Sequence, residues 1–177
     1  MLDLFNGLPV HVLVLHAFVV LGPIAALTSL VFVLRPGWRR LLVWPTLVLA
    51  VVAAASGLAT KASGEELMER VLGVPDVDPV QAQLVTRHAQ LGDVAGVTGL
   101  VFGLVVLVST WFVLRPSQGR RAERGPEREP RLQSVTTKAV ASTLVVLVSL
   151  ALVTTVTLAG HSGATAAWKI QIAESQE

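Results

Sequence analysis

The chain of 177 residues contains no cysteine and no tyrosine. Without thiols there are no disulfides, thiolate nucleophiles, iron–sulfur clusters or Cys-based zinc sites. Histidine is then the one side chain, carboxylates aside, that ligates transition metals well. There are four: His11, His16, His88 and His161. Charge is scarce too, at 15% of residues, against about 25% in a soluble domain. The formal net charge is only +2, and the arginines sit in loops, so nothing points to nucleic acid. No serine, histidine and acid share one motif, which leaves no hydrolytic constellation. Four spans without a charged mid-membrane path also argue against a transporter.

What is present is apolar length. Apolar residues make up 53% of the chain, and the mean hydropathy is +0.66. Runs at about 8–34, 41–60, 89–114 and 135–160 are each long enough to cross a hydrocarbon core of ~30 Å. These predict an all-α, polytopic four-helix bundle forming a single membrane domain over 1–177. Asn6 and Pro9 are candidate start signals for the first span, and Gly22-Pro23 predicts a kink within it. Asp78 can cap the third helix, with Pro79 in its first turn and Pro116 as its stop. The segment Gly64–Gly73, GEELMERVLG, reads as a short amphipathic surface helix within an outer loop 61–87.

Basic residues set the expected orientation. Arg35, Arg39 and Arg40 follow span one, and Arg115, Arg120, Arg121, Arg124, Arg128 and Arg131 follow span three. The loop between spans two and three holds more acid than base, so the loop 115–134 is expected in the cytoplasm and both termini outside. The short likeness between LVFVLRPGWRR (30–40) and WFVLRPSQGRR (111–121) reads as convergence on a helix-exit signature.

Counting at ~1.5 Å per residue, His88 lies roughly 39 Å above Leu114, while His11 and His161 lie roughly 35 Å above the inner face. His16 is deeper, at roughly 27 Å. All four histidines thus fall towards one side, on three helices. His11 and His16 are five residues apart, about 140° around the helix, so they cannot share a direction. Below His88, Gly92, Gly96, Gly99 and Gly103 line one face of the third helix. Glycines there leave space for a flat macrocycle, or else let another helix pack closely. A site built by His16 or His11 with His88 and His161 suits heme iron, copper or zinc. Asp93, Thr60, Thr157 and Ser162 are candidate partners for the second ring nitrogens.

Four segments occur in order: GLPVHVLVLHAFVVLGPIAAL (7–27), ATKASGEELMERV (59–71), RHAQLGD (87–93) and AGHSGATAAW (159–168). Together they resemble a family of four-helix bacterial membrane proteins classed as a domain of unknown function. That family is suspected of being cytochrome-b-like, and some members are fused to Rieske-type domains. The likeness covers nearly the whole chain. His11 and His16 match the opening histidines, His88 the one before the third span, and His161 the Gly-His-x-Gly motif. Val12 stands where the family often has proline, and Ala17-Phe18 replaces Phe-Pro. The histidine that often follows the last glycine motif is absent from GATAAWKI.

The resemblance implies heme b and electron transfer in a bacterial cell membrane, with a separate membrane or extracytoplasmic redox partner. The expected cofactor-binding residues are His11, His16, His88, His161, Gly92, Gly96 and Gly99, with His16 and His88 placed first. Two other readings are a non-enzymatic assembly subunit of a larger complex or homo-oligomer, and an outer-face copper or zinc binder.

Overall fold

A computed structural model describes residues 4–5, 8–114 and 131–174, with side chains placed over 10–114 and 135–168. Four long helices form the bundle: α1 (Val10–Leu34), α2 (Arg39–Leu72), α3 (Pro79–Val108) and α4 (Arg131–Glu174). All four are long and apolar enough to cross a membrane. The bundle class is as expected from the apolar runs. Ahead of α1, Leu4–Phe5 pairs with Leu8–Pro9 in a two-residue antiparallel ladder, so Pro9 precedes the helix instead of opening it. Asn6, Pro116 and the charged loop from Ser117 to Pro130 lie outside the described residues.

α2 is longer than its apolar run. It continues through 61–72, so the amphipathic GEELMERVLG segment extends the second helix and is not a separate surface helix. Two local causes keep it helical. Lys61 pairs with Glu65 one turn on, and no proline interrupts the segment before Pro75. The chain reverses at residues 73–78, where Asp76 adopts φ 59°, a left-handed conformation that Asp tolerates well. Asp78 then caps α3 as anticipated, its Oδ1 accepting from the Val80 N–H at 2.6 Å. At the far end α3 widens into a π-helical turn over Ser109–Leu114, and the Ser109 N–H is shared between the Val105 and Val106 carbonyls. α4 likewise runs on past His161, so no separate interfacial segment forms around Trp168.

The helices are apolar all round because both faces meet hydrocarbon: inwards other helices, outwards lipid. Leu27, Val48, Leu104 and Leu150 are exposed. The interior is built from Phe18, Phe32, Phe102, Val106, Leu152 and small residues such as Ala25, Ala50, Ala53 and Ala95. Hydroxyls in the spans mostly bond their own helix, as Ser29 does to the Ala25 carbonyl at 2.8 Å and Thr98 to Val94 at 2.7 Å.

The turn between α1 and α2 is closed by Arg39. Its Nε and Nη2 donate to the Phe32 and Val33 carbonyls at 3.1 and 3.2 Å, and its guanidinium lies 5.6 Å from the Phe32 ring centre. It thereby satisfies carbonyls that the end of α1 would leave without partners. Arg39→Ala should lower the stability of the detergent-solubilised protein by about 1.5–3 kcal/mol, the usual worth of hydrogen bonds to a charged group. A thermal-unfolding midpoint unchanged by this substitution would contradict that role.

Candidate functional site

The start of α1, the end of α2's apolar part, the start of α3 and the stretch 156–163 of α4 meet at one end of the bundle. There His11 and His88 face each other with ring centres 6.3 Å apart and planes at 74°. Each imidazole is held by the next helix in the chain. His11 Nδ1–H donates to the Thr60 carbonyl on α2 at 3.1 Å, with Ser63 Oγ at 3.2 Å. His88 Nδ1–H donates to the Ala159 carbonyl on α4 at 3.2 Å, with Ser162 Oγ also at 3.2 Å. A carbonyl can only accept, so each ring carries a proton on Nδ1, and in the neutral imidazole the lone pair is then on Nε2.

His16 and His161 do not join this pair. Both side chains are exposed, and His16 Nδ1–H turns back to the Val12 carbonyl of its own helix. The angular argument required one of His11 and His16 to face away, and it is His16. The sequence left His16 or His11 to join His88 and His161, with His16 placed first; the structure brings His11 beside His88 and leaves His16 and His161 outside. Among the proposed second partners, Ser162 lies beside His88 as anticipated. Thr60 serves through its backbone carbonyl. Thr157 Oγ1 bonds the Val153 carbonyl, and Asp93 instead holds Lys61 Nζ at 2.8 Å.

The glycine row divides between two roles. A Cβ on Gly96 would meet the Gly57 carbonyl at 3.1 Å, and one on Gly103 would meet Ala54 Cβ at 2.7 Å and the Ala50 carbonyl at 2.9 Å. Gly99 would meet the Phe18 ring at 3.0 Å and the Ala53 carbonyl at 3.4 Å. These three glycines admit α2 and Phe18 against α3, which is helix packing and not a macrocycle seat. Only Gly92 of the row opens on free space and lines the cavity beside the histidines.

That cavity encloses about 250 Å³. Leu15, Phe18, Met68 and Val85 give it apolar walls, and Lys61, Glu65 and Asp93 add a charged side. Thr60 also lines it, and its Oγ1 is buried without a hydrogen-bond partner. A buried hydroxyl of this kind is costly unless something supplies a partner.

The donor set narrows the chemistry. Among the described residues no three of His, Asp and Glu converge on a point that could hold a metal ion. Structural zinc takes four protein ligands and catalytic zinc three, so two imidazoles fall short of either. Two imidazoles do suit a metal whose remaining positions are filled by its own macrocycle.

Comparison with known proteins adds the family. The family model described as "Predicted membrane protein (DUF2231)" matches residues 7–176. No curated protein and no solved structure matches the chain. The matched segment contains all four helices, both facing imidazoles and the carbonyls that hold them, and the chain belongs to this family of membrane proteins.

Proposed function

We propose that the protein is a membrane b-type-cytochrome-like heme protein that relays electrons near the outer leaflet of a bacterial cell membrane. The observation that carries this reading is the His11–His88 pair, with each Nδ1 bonded to a backbone carbonyl and each Nε2 free. Anchoring of the second ring nitrogen orients a ligating imidazole and raises its basicity. His11 and His88 would hold the heme, which would supply one-electron chemistry. Thr60, Gly92 and Phe18 would shape the space beside it, and the apolar walls would exclude water. The outward placement follows from the arginines after spans one and three. The redox partner would be a separate membrane or extracytoplasmic protein.

A copper or zinc binder is the weaker reading, because it would have only two protein ligands. An assembly subunit using the glycine face for a partner is also weaker, since Gly96, Gly99 and Gly103 already meet groups within the chain. The test is an absorption spectrum with elemental analysis of protein purified from heme-replete cells. A Soret band that shifts on reduction, with stoichiometric iron, is expected. Bound copper or zinc without iron, or no bound metal at all, would overturn the proposal.

A further inference from the structure

The two halves of the site present each imidazole with the same three groups at the same spacing. In the first, His11 of α1 meets the carbonyl of residue 60, the hydroxyl of Ser63 and the backbone of Gly64. In the second, His88 of α3 meets the carbonyl of residue 159, the hydroxyl of Ser162 and the backbone of Gly163. The offsets from carbonyl to serine to glycine are the same on α2 and α4. Each serine also donates to its own helix, Ser63 to the Ala59 carbonyl and Ser162 to the Ala159 carbonyl, both at 2.8 Å. Its oxygen is thereby left to accept from Nδ1–H. Each glycine lies under the ring edge: a Cβ on Gly64 would come within 3.0 Å of His11 Cε1, and one on Gly163 within 2.8 Å of His88 Cε1. Both histidine-bearing helices also run into Leu-Arg-Pro, at 34–36 and 114–116. The histidine stands 23 residues before Leu34 and 26 before Leu114, so the equivalence rests on the carbonyl, serine and glycine at each imidazole and not on this exit.

We propose that Ser63-Gly64 on α2 and Ser162-Gly163 on α4 are equivalent positioning seats, each fixing one of the two imidazoles that meet at this centre. The seats act through the histidines and need not touch the ligand. The serine fixes ring rotation through a second acceptor for Nδ1–H, and the glycine lets the ring lie flat on the helix. The ligand class rests on the heme reading above; the seats themselves do not.

The experiment compares wild type with Ser63→Ala, Ser162→Ala, Ser63→Thr, Ser162→Thr, Gly64→Ala and Gly163→Ala. Gly160→Ala is the control, because a Cβ there meets nothing within 4 Å. The first readout is the nitrogen spectrum of ¹⁵N-histidine-labelled protein made without heme. Wild type should show the two seated imidazoles, His11 and His88, protonated at Nδ1 and hydrogen-bonded, beside His16, whose Nδ1–H bonds the Val12 carbonyl. Gly64→Ala should disturb His11 and Gly163→Ala His88, while Gly160→Ala disturbs neither. Alanine favours a helix over glycine by about 1 kcal/mol, so these variants should keep the fold.

The second readout is heme retention and reduction potential. Each Ser→Ala or Gly→Ala change should weaken retention by about 10–100-fold, the usual cost of losing the group that orients a ligand. Each Ser→Ala change should also raise the potential, and each Ser→Thr should restore it. Facing imidazoles protonated at Nε2, or seat variants indistinguishable from Gly160→Ala in the nitrogen spectrum, would overturn the seats whatever the cofactor. A wild type with the two Nδ1–H imidazoles but no heme would overturn the heme reading alone. Strong effects in one half with none in the other would overturn their equivalence.

Discussion

With heme bound as proposed, replacing either His11 or His88 by alanine is expected to remove the wild-type heme spectrum, while His16→Ala and His161→Ala keep it. The expectation follows from the free electron pairs. Only His11 and His88 are drawn inwards, each with Nδ1 fixed by a carbonyl of the neighbouring helix. His16 is exposed and bonds its own helix, and His161 is exposed on α4. A heme held by both His11 and His88 would not keep the same spectrum on one of them, so either substitution alone should remove the wild-type spectrum. Glutamine at either position would occupy similar volume without an imidazole, and it separates loss of ligation from loss of packing. Retention of the wild-type spectrum by His11→Gln would remove His11 from the site, and its loss in His16→Ala would return the deeper histidine to it.

The two outcomes separate what patterning reveals from what it conceals. Four apolar runs dictate four helices, and the Asp78-Pro79 pair marks the start of α3 because cap and first-turn chemistry are local. The clustering of histidines towards one end follows from simple counting along each span. Rotation about the helix axis is different. His11 and His16 differ by about 140°, so one must turn away, but only the neighbours of α1 decide which. The decision is made by α2, which offers Ser63 and Gly64 where His11 arrives. That signal was present among three Ser-Gly pairs, at 56–57, 63–64 and 162–163, but such pairs carry no meaning until the helices that bear them are packed together. Helix length was hidden for a similar reason. The polar stretch after Thr60 resembles a loop by composition, yet Lys61 lies between Glu65 on its own helix and Asp93 on α3. The glycine row misled in the opposite direction, because spacing reveals a smooth face and not what lies against it.

That row yields the second large effect. Gly103→Leu is expected to prevent accumulation of folded protein, whereas Gly92→Leu should accumulate normally and bind no heme. At position 103 even a methyl would sit 2.7 Å from Ala54 Cβ and 2.9 Å from the Ala50 carbonyl. The second of these is backbone and cannot swing aside, so α2 and α3 must separate. Overpacking of this kind costs about 1–3 kcal/mol for added methylenes in a tight core, and a whole isobutyl group against backbone exceeds that range. At position 92 a Cβ meets nothing within 4 Å, and the added side chain enters the cavity beside His88. Filling that space leaves helix contacts intact and excludes whatever occupies it. Gly92→Ala, which adds one methyl and favours the helix by about 1 kcal/mol, should fold at least as well as wild type. Its heme content reports how tightly the space is used. A Gly92→Leu protein that still carries full heme would place the macrocycle elsewhere, and a well-folded Gly103→Leu would mean that α2 and α3 do not meet at this glycine in the membrane.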